Sequence, residues 1–158
     1  LSVIATGCGA RLVTLSADGK GSLLDAADGQ AQTYAPCDRA PGDTAAILYT
    51  SGTTGRSKGA VLSHENLLSN ALTLRDLWRF TADDTLLHAL PIFHVHGLFV
   101  ATNVILAAGA KMLFLPKFDA AEVISLLPRA TTMMGVPTFY TRLLARADFT
   151  RDVTRTIR

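Results

Sequence analysis

Short apolar runs alternate with segments of helical periodicity from residue 45 to residue 145, and this alternation constrains the fold more than any other feature. Residues 45–49 form an apolar run short enough for a buried strand. Residues 60–62 read as extended, and residues 85–89, 111–115 and 131–134 as further strands. Between them, Ser63 is placed to cap a helix running to about Trp78, on which Leu67, Ala71, Leu74 and Trp78 share one face. Residues 98–108 are apolar nearly all round and predict a buried helix, and residues 120–127 and 138–145 predict two more. Strands separated by helices predict an α/β layer structure with a largely parallel sheet, because a parallel pair needs a crossover long enough to hold a helix.

The flanks are less patterned. Residues 12–15 read as a short strand, Asp18-Gly19 as a turn, and residues 22–27 as a short helix with Ser22 at the N-cap. Residues 28–43, rich in Gly, Pro, Gln and Asp, read as a surface connector. Residues 150–158 alternate polar and basic side chains, and nothing in them predicts closure of the domain.

Composition narrows what such a fold does. Of 158 residues, 49% are hydrophobic and 18% charged, which is ample for a core and excludes a disordered chain. The mean hydropathy of +0.28 is high enough to predict that some core-facing surface is covered by partners outside the chain. Fifteen Lys and Arg against 13 Asp and Glu leave a net charge of +2 with no dense basic run, which argues against nucleic-acid binding driven by bulk charge. Cys8 and Cys37 are far apart and sit in no zinc or redox motif, so a reduced, cytoplasmic protein is expected. The most apolar stretch, residues 92–108, holds His94, His96 and Asn103 and falls short of the ~20 residues of a membrane helix; no membrane partner is expected. Residues 1–5 are too short for the apolar part of a signal peptide, and a chain beginning at Leu1 is not expected to show its native N-terminus.

The chemistry concentrates in Thr50-Ser51-Gly52-Thr53-Thr54-Gly55-Arg56-Ser57-Lys58-Gly59, a polar, glycine-punctuated stretch directly after the first strand. Glycines let backbone N–H groups approach an anion, Thr50, Ser51, Thr53 and Thr54 add hydroxyl donors, and Lys58 adds a full positive charge. A Walker A loop fails on spacing, because the lysine follows Gly55 by three residues and is itself followed by glycine. The bland alternative is a Gly/Ser linker. His94 and His96, two apart, point to one side if their segment is extended. A metal pair would need further ligands, and no cluster of suitable spacing surrounds them; two core histidines satisfied by backbone remain open. Arg142 has Arg146 one helical turn on, which suits a solvated face but costs a little in like-charge repulsion.

The stretch 49–59 closely resembles the phosphate loop of adenylate-forming enzymes, the superfamily of acyl-CoA synthetases, luciferases and peptide-synthetase adenylation domains. Leu62-Ser63-His64-Glu65-Asn66-Leu67, Leu90-Pro91-Ile92-Phe93-His94-Val95-His96-Gly97-Leu98 and Val136-Pro137-Thr138 resemble the motifs that follow in that superfamily. Arg56-Ser57 departs from the usual variable residue and proline, and together with His-Val-His-Gly it most resembles the malonyl-CoA synthetase branch.

The resemblance implies a partial N-terminal domain of an ATP-dependent acid–thiol ligase. Residues 1–44 would be a lead-in and residues 45–158 the phosphate-loop and acyl-pocket region. The reaction implied joins malonate or methylmalonate to the α-phosphate of Mg2+-bound ATP as an acyl-adenylate. Coenzyme A then displaces AMP.

By the same resemblance Thr50, Ser51, Gly52, Thr53, Thr54 and Lys58 hold the ATP phosphates. His94 sits beside the reacting carboxylate, Val95 and His96 line the acyl pocket, and Arg142 anchors the second carboxylate. A buried second carboxylate needs a matched cation, and an arginine can hold it bidentately. The magnesium-binding glutamate, the ribose-binding aspartate and the C-terminal lysine of the superfamily are not in these residues, so the chain alone is expected to be inactive. A ligase for another short-chain or aryl acid, or a non-catalytic nucleotide-binding fragment, are the competing expectations.

Overall fold

A computed structural model of the chain describes residues 2–50 and 57–158. The chain divides into two units, Leu1–Asp38 and Arg39–Arg158.

The first unit holds helices α1 (Ser2–Gly7) and α2 (Ser22–Ala27). Residues 12–15 are not a strand. The Thr14 N–H instead donates to the Ser22 hydroxyl at 2.9 Å, and its carbonyl accepts from the Leu23 N–H at 3.1 Å. That engagement also moves the cap: Gly21, at φ 137°, takes the N-cap position, and Ser22 becomes the first helical residue.

In the second unit β1 (Thr44–Thr50) and β2 (Lys58–Ser63) form an antiparallel ribbon in which Ile47 faces Val61 and Thr50 faces Lys58. Two expectations change here. The first strand is not buried: Ile47, Tyr49 and Val61 are 53%, 74% and 60% exposed, because a two-strand ribbon has two open faces. Of the polar stretch expected as a loop over 50–59, Thr50, Lys58 and Gly59 belong to the ladder, and residues 51–56 lie outside the described residues. Ser63 then caps α3 (His64–Leu77) in a reciprocal box: its hydroxyl accepts from the Asn66 N–H, and the Asn66 side chain accepts from the Ser63 N–H.

The core is a parallel sheet of β3 (Thr85–His88), β4 (Lys111–Phe114) and β5 (Thr132–Met134) in the order β4-β3-β5. Successive strand residues face opposite sides. Leu86 packs with Ala101, Val104 and Ile105 on one side; Leu87 packs with Val123, Ile124, Leu127 and Leu143 on the other. The first group belongs to a π-turn (His96–Ala101) and α4 (Thr102–Ala108). The second comes from α5 (Ala120–Leu126), the 3-10 turn after it and α6 (Pro137–Leu144). The arrangement follows from handedness. The step from β3 to β4 and the step from β4 to β5 run in opposite directions, so right-handed crossovers set α4 and α5 on opposite faces.

The helix expected over 98–108 is therefore two pieces, and it is not buried all round. Leu98 and Leu106 are 39% and 65% exposed, because one face only meets the sheet. The tail, expected to close nothing, packs on the core. Val153 and Ile157 lie against the Leu87 side. Arg158 donates to both Asp84 carboxylate oxygens at 3.1 and 2.8 Å and to the Trp78 and Arg79 carbonyls. Cys8 and Cys37 are free and exposed.

Candidate functional site

Adjacent strands β3 and β5 send their following helices to opposite faces of the sheet, α4 to one and α6 to the other. A crevice must open where the two connections part, outside the C-terminal ends of the strands, and open α/β sheets hold ligands there. In this chain the crevice is a cavity of about 290 Å³. Leu90, Pro91, His94, His96 and Gly97 line it from the β3 side, and Val136 and Phe139 from the β5 side.

The loop from β3 reaches the cavity by a tight path. A Cβ on Gly97 would run into the Pro91 carbonyl oxygen, so the chain can fold back there only with glycine. The His94 N–H donates to that same carbonyl at 3.3 Å, and the Leu98 N–H to the His94 carbonyl at 2.9 Å. The segment is thus a turn leading into the π-turn, and the extended reading of His94 and His96 does not hold. Curvature, rather than strand alternation, brings both imidazoles to one cavity. Val95 between them is 44% exposed, and the cavity wall forms without it.

Phe139 divides this cavity from a second one, of about 240 Å³, bounded by Ala89, Pro91, Phe93, Pro116, Lys117 and Phe118. Its ring stacks on Phe118 with centroids 4.0 Å apart. The Arg142 guanidinium also lies over the Phe118 ring, 4.9 Å from its centroid. Among the described residues Arg142 makes no hydrogen bond or ion pair. Arg146 differs: it grips Asp148 with two hydrogen bonds of 2.8 and 2.7 Å. The nearby Asp119 carboxyl is held below the usual carboxylate range, first by the Glu122 N–H it caps and to a smaller extent by Arg142. Burial pushes the Tyr140 phenol up.

The phosphate-loop residues occupy a different place. Thr50 and Lys58 are the last cross-strand pair of the β1-β2 ribbon, at the end away from Thr44 and Ser63, which sets a hydroxyl and an ammonium on one face. Ser51, Gly52, Thr53 and Thr54 lie outside the described residues. Among the described residues no hydrogen bond or ion pair joins Lys58 to His94, His96 or Arg142. Nor does any group of three or more His, Cys, Asp and Glu that could hold a metal ion occur among them. No helix among them is long and apolar enough to cross a membrane.

Phe118, Phe139 and the sterically required Gly97 were not singled out from the sequence. For Phe139 a signal existed, since it stands three residues before Arg142 and so shares its helix face.

Comparison with known proteins gives consistent findings. The family described as AMP-binding enzyme matches residues 6–158. The mitochondrial malonate–CoA ligase of Homo sapiens is 41% identical over 109 residues, which is 66% of this chain and 19% of that protein. An indoleacetate–CoA ligase of Aromatoleum aromaticum is 44% identical over 102 residues, 63% of this chain and 20% of that protein. Among solved structures, MatB of Rhodopseudomonas palustris without ligand superposes with a TM-score of 0.95 at 59% identity, covering 99% of this chain and 31% of that one. Its ATP-bound form gives 0.94 at 60% identity, with the same coverage. The chain therefore spans about a fifth of the curated relatives and under a third of the solved one.

Proposed function

The chain belongs to the AMP-binding enzyme family, and from that membership we propose that its parent protein is an acid–thiol ligase activating malonate or methylmalonate. In this reading residues 1–158 are a piece of the large N-terminal domain, with residues 1–44 as lead-in and residues 45–158 carrying the phosphate loop and acyl pocket. The rest of that domain and a C-terminal domain lie outside. The acid carboxylate attacks the α-phosphate of ATP, pyrophosphate leaves, and the coenzyme A thiol then displaces AMP from the acyl-adenylate to give malonyl-CoA.

Thr50 and Lys58, with Ser51, Gly52, Thr53 and Thr54, hold the polyphosphate and offset its charge. Mg2+ enters as the ATP complex. His94 hydrogen-bonds where the carboxylate meets the α-phosphate, and His96 and Val95 bound the acyl group. A 290 Å³ cavity suits a three-carbon acid better than a long chain. The proposed compartment is the cytoplasm, although the human relative is designated mitochondrial; fractionation of the source cells decides between them.

The observation that carries the malonate reading is Arg142. Its exposed guanidinium lies over Phe118, whose stacking partner Phe139 lines the cavity; Arg142 itself lines neither cavity, and it forms no ion pair among the described residues. A diacid supplies that partner, whereas a neutral acyl tail gains nothing from it. The 44% identity to an indoleacetate–CoA ligase favours the second reading, a ligase for an aryl acid, with Phe118 and Phe139 as the ring platform.

One comparison separates the two. In the full-length protein Arg142→Ala leaves the distal carboxylate unpaired, and malonate kcat/KM falls by about a hundredfold or more. Propionate kcat/KM stays near wild type. If the malonate-to-propionate ratio does not move, Arg142 is a solvated helix residue and the malonate reading fails.

A further inference from the structure

His88 is the last residue of the central strand and is 1% exposed, and it lines neither of the two cavities. Two residues along from Leu86, it faces the same side of the sheet, beneath the π-turn. Its Nε2 lies 2.9 Å from the Gly97 carbonyl oxygen. A carbonyl only accepts, so Nε2 carries the proton in this bond, and Nδ1 is the acceptor nitrogen. That Nδ1 is buried and has no partner among the described residues. The ring packs 4.9 Å from Phe114. An aliphatic side chain would fill such a position without the cost of burying an unsatisfied nitrogen. The bond to Gly97 is what the imidazole adds.

Gly97 is where that bond has most leverage. Its carbonyl also accepts from the Thr102 hydroxyl at 2.9 Å, five residues on, which ties the widened turn to the start of α4. A Cβ added at Gly97 would run into the Pro91 carbonyl. The His88–Gly97 contact therefore closes the base of a loop whose interior residues include both cavity histidines.

We propose that His88 is a positioning residue: through its Nε2–H it holds Gly97 and the first residues of the π-turn, and so sets His94 and His96 in the cavity without touching substrate. The proposal rests on the acyl-site reading given above for its kinetic consequence, but its structural consequence stands apart from it.

The test uses the full-length protein with His88→Leu, which fills the space without the donor, and His88→Gln, whose amide N–H can reach Gly97. His88→Leu is expected to raise KM for malonate and slow malonate-dependent pyrophosphate exchange by about tenfold to a hundredfold, as a misplaced group near the reacting atoms does. KM for ATP should change less than threefold, on the order of an ordinary distant substitution. His88→Gln should restore most of the rate. In histidine-15N-labelled protein, His88 should be the Nε2–H tautomer, and the His94 and His96 signals should move in His88→Leu and return in His88→Gln. Wild-type exchange with malonate tests the ligase reading by itself, since its absence sinks that reading and leaves the resonance test standing. An Nδ1–H tautomer at His88, or His94 and His96 signals unmoved in a folded His88→Leu protein, would overturn the positioning role. So would a His88→Gln protein that folds yet is as slow as His88→Leu.

Discussion

Asp84 accepts from Arg158, from the Thr131 hydroxyl at 2.7 Å and from the Thr81 N–H at 2.9 Å, all at a position 5% exposed. The Arg158 guanidinium is the first cause that lowers its carboxyl to about 2 from an ordinary 3.8. A depressed carboxyl stabilises the fold fully above the unfolded value and loses that contribution as pH falls toward the folded one. The shift corresponds to about 2 kcal/mol, lost between roughly pH 4 and pH 2. Asp84→Asn should therefore lower stability at pH 7 and flatten the acid limb of the unfolding curve, measured by urea titration across that window. A mutant curve parallel to wild type from pH 6 to 2 would mean that Asp84 does not carry the linkage. The proposed role of Lys58 is tested on chemistry instead. If its ammonium lies beside the ATP polyphosphate as proposed, Lys58→Ala should slow adenylate formation by about a hundredfold to a thousandfold in the full-length protein, with far-UV circular dichroism unchanged. Pyrophosphate exchange at the wild-type rate would contradict the role given to Lys58.

At the scale of elements, local signals were readable and non-local ones were not. The start of α3 was legible because Ser63 is a good N-cap residue, and the structure adds Asn66 as its reciprocal partner within one turn. Ser63→Ala should cost about 1 kcal/mol in thermal or chemical unfolding, and no loss would mean the box does not hold that end. The positions of β3, β4 and β5 were also clear, since each is a short apolar run between helical segments. The exposure of β1 was not, because burial depends on what covers a strand and no residue of the strand encodes that. The π-turn had no sequence period to announce it. His88 carried no motif, and its partner is nine residues away across a fold-back that only coordinates reveal. The tail failed for the same reason: Arg158 meets Asp84 across 74 residues of sequence. Gly97 shows how one position joins element to site. An added Cβ forces the loop off the Pro91 carbonyl, so Gly97→Ala should cost roughly 1–3 kcal/mol and, on the proposed acyl-site reading, weaken malonate binding by the full-length protein more than ATP binding.

Across the whole molecule, the surface agrees with the apolar excess of the sequence. Ile47, Tyr49, Val61, Leu68, Phe93 and Leu106 are all exposed. The chain spans 31% of its solved relative, and the proposed account assigns the cover for these faces to the rest of the parent. Residues 1–158 purified alone should form no detectable thioester. Malonate adenylation is the activity proposed for the full-length protein, and malonate-dependent exchange of labelled pyrophosphate into ATP, without coenzyme A, measures that step alone. The expected result is exchange that requires malonate or methylmalonate, is weak with propionate or indoleacetate, and is lost in Lys58→Ala. Exchange driven equally by the monoacids, or none with malonate in a folded and ATP-binding protein, would contradict it.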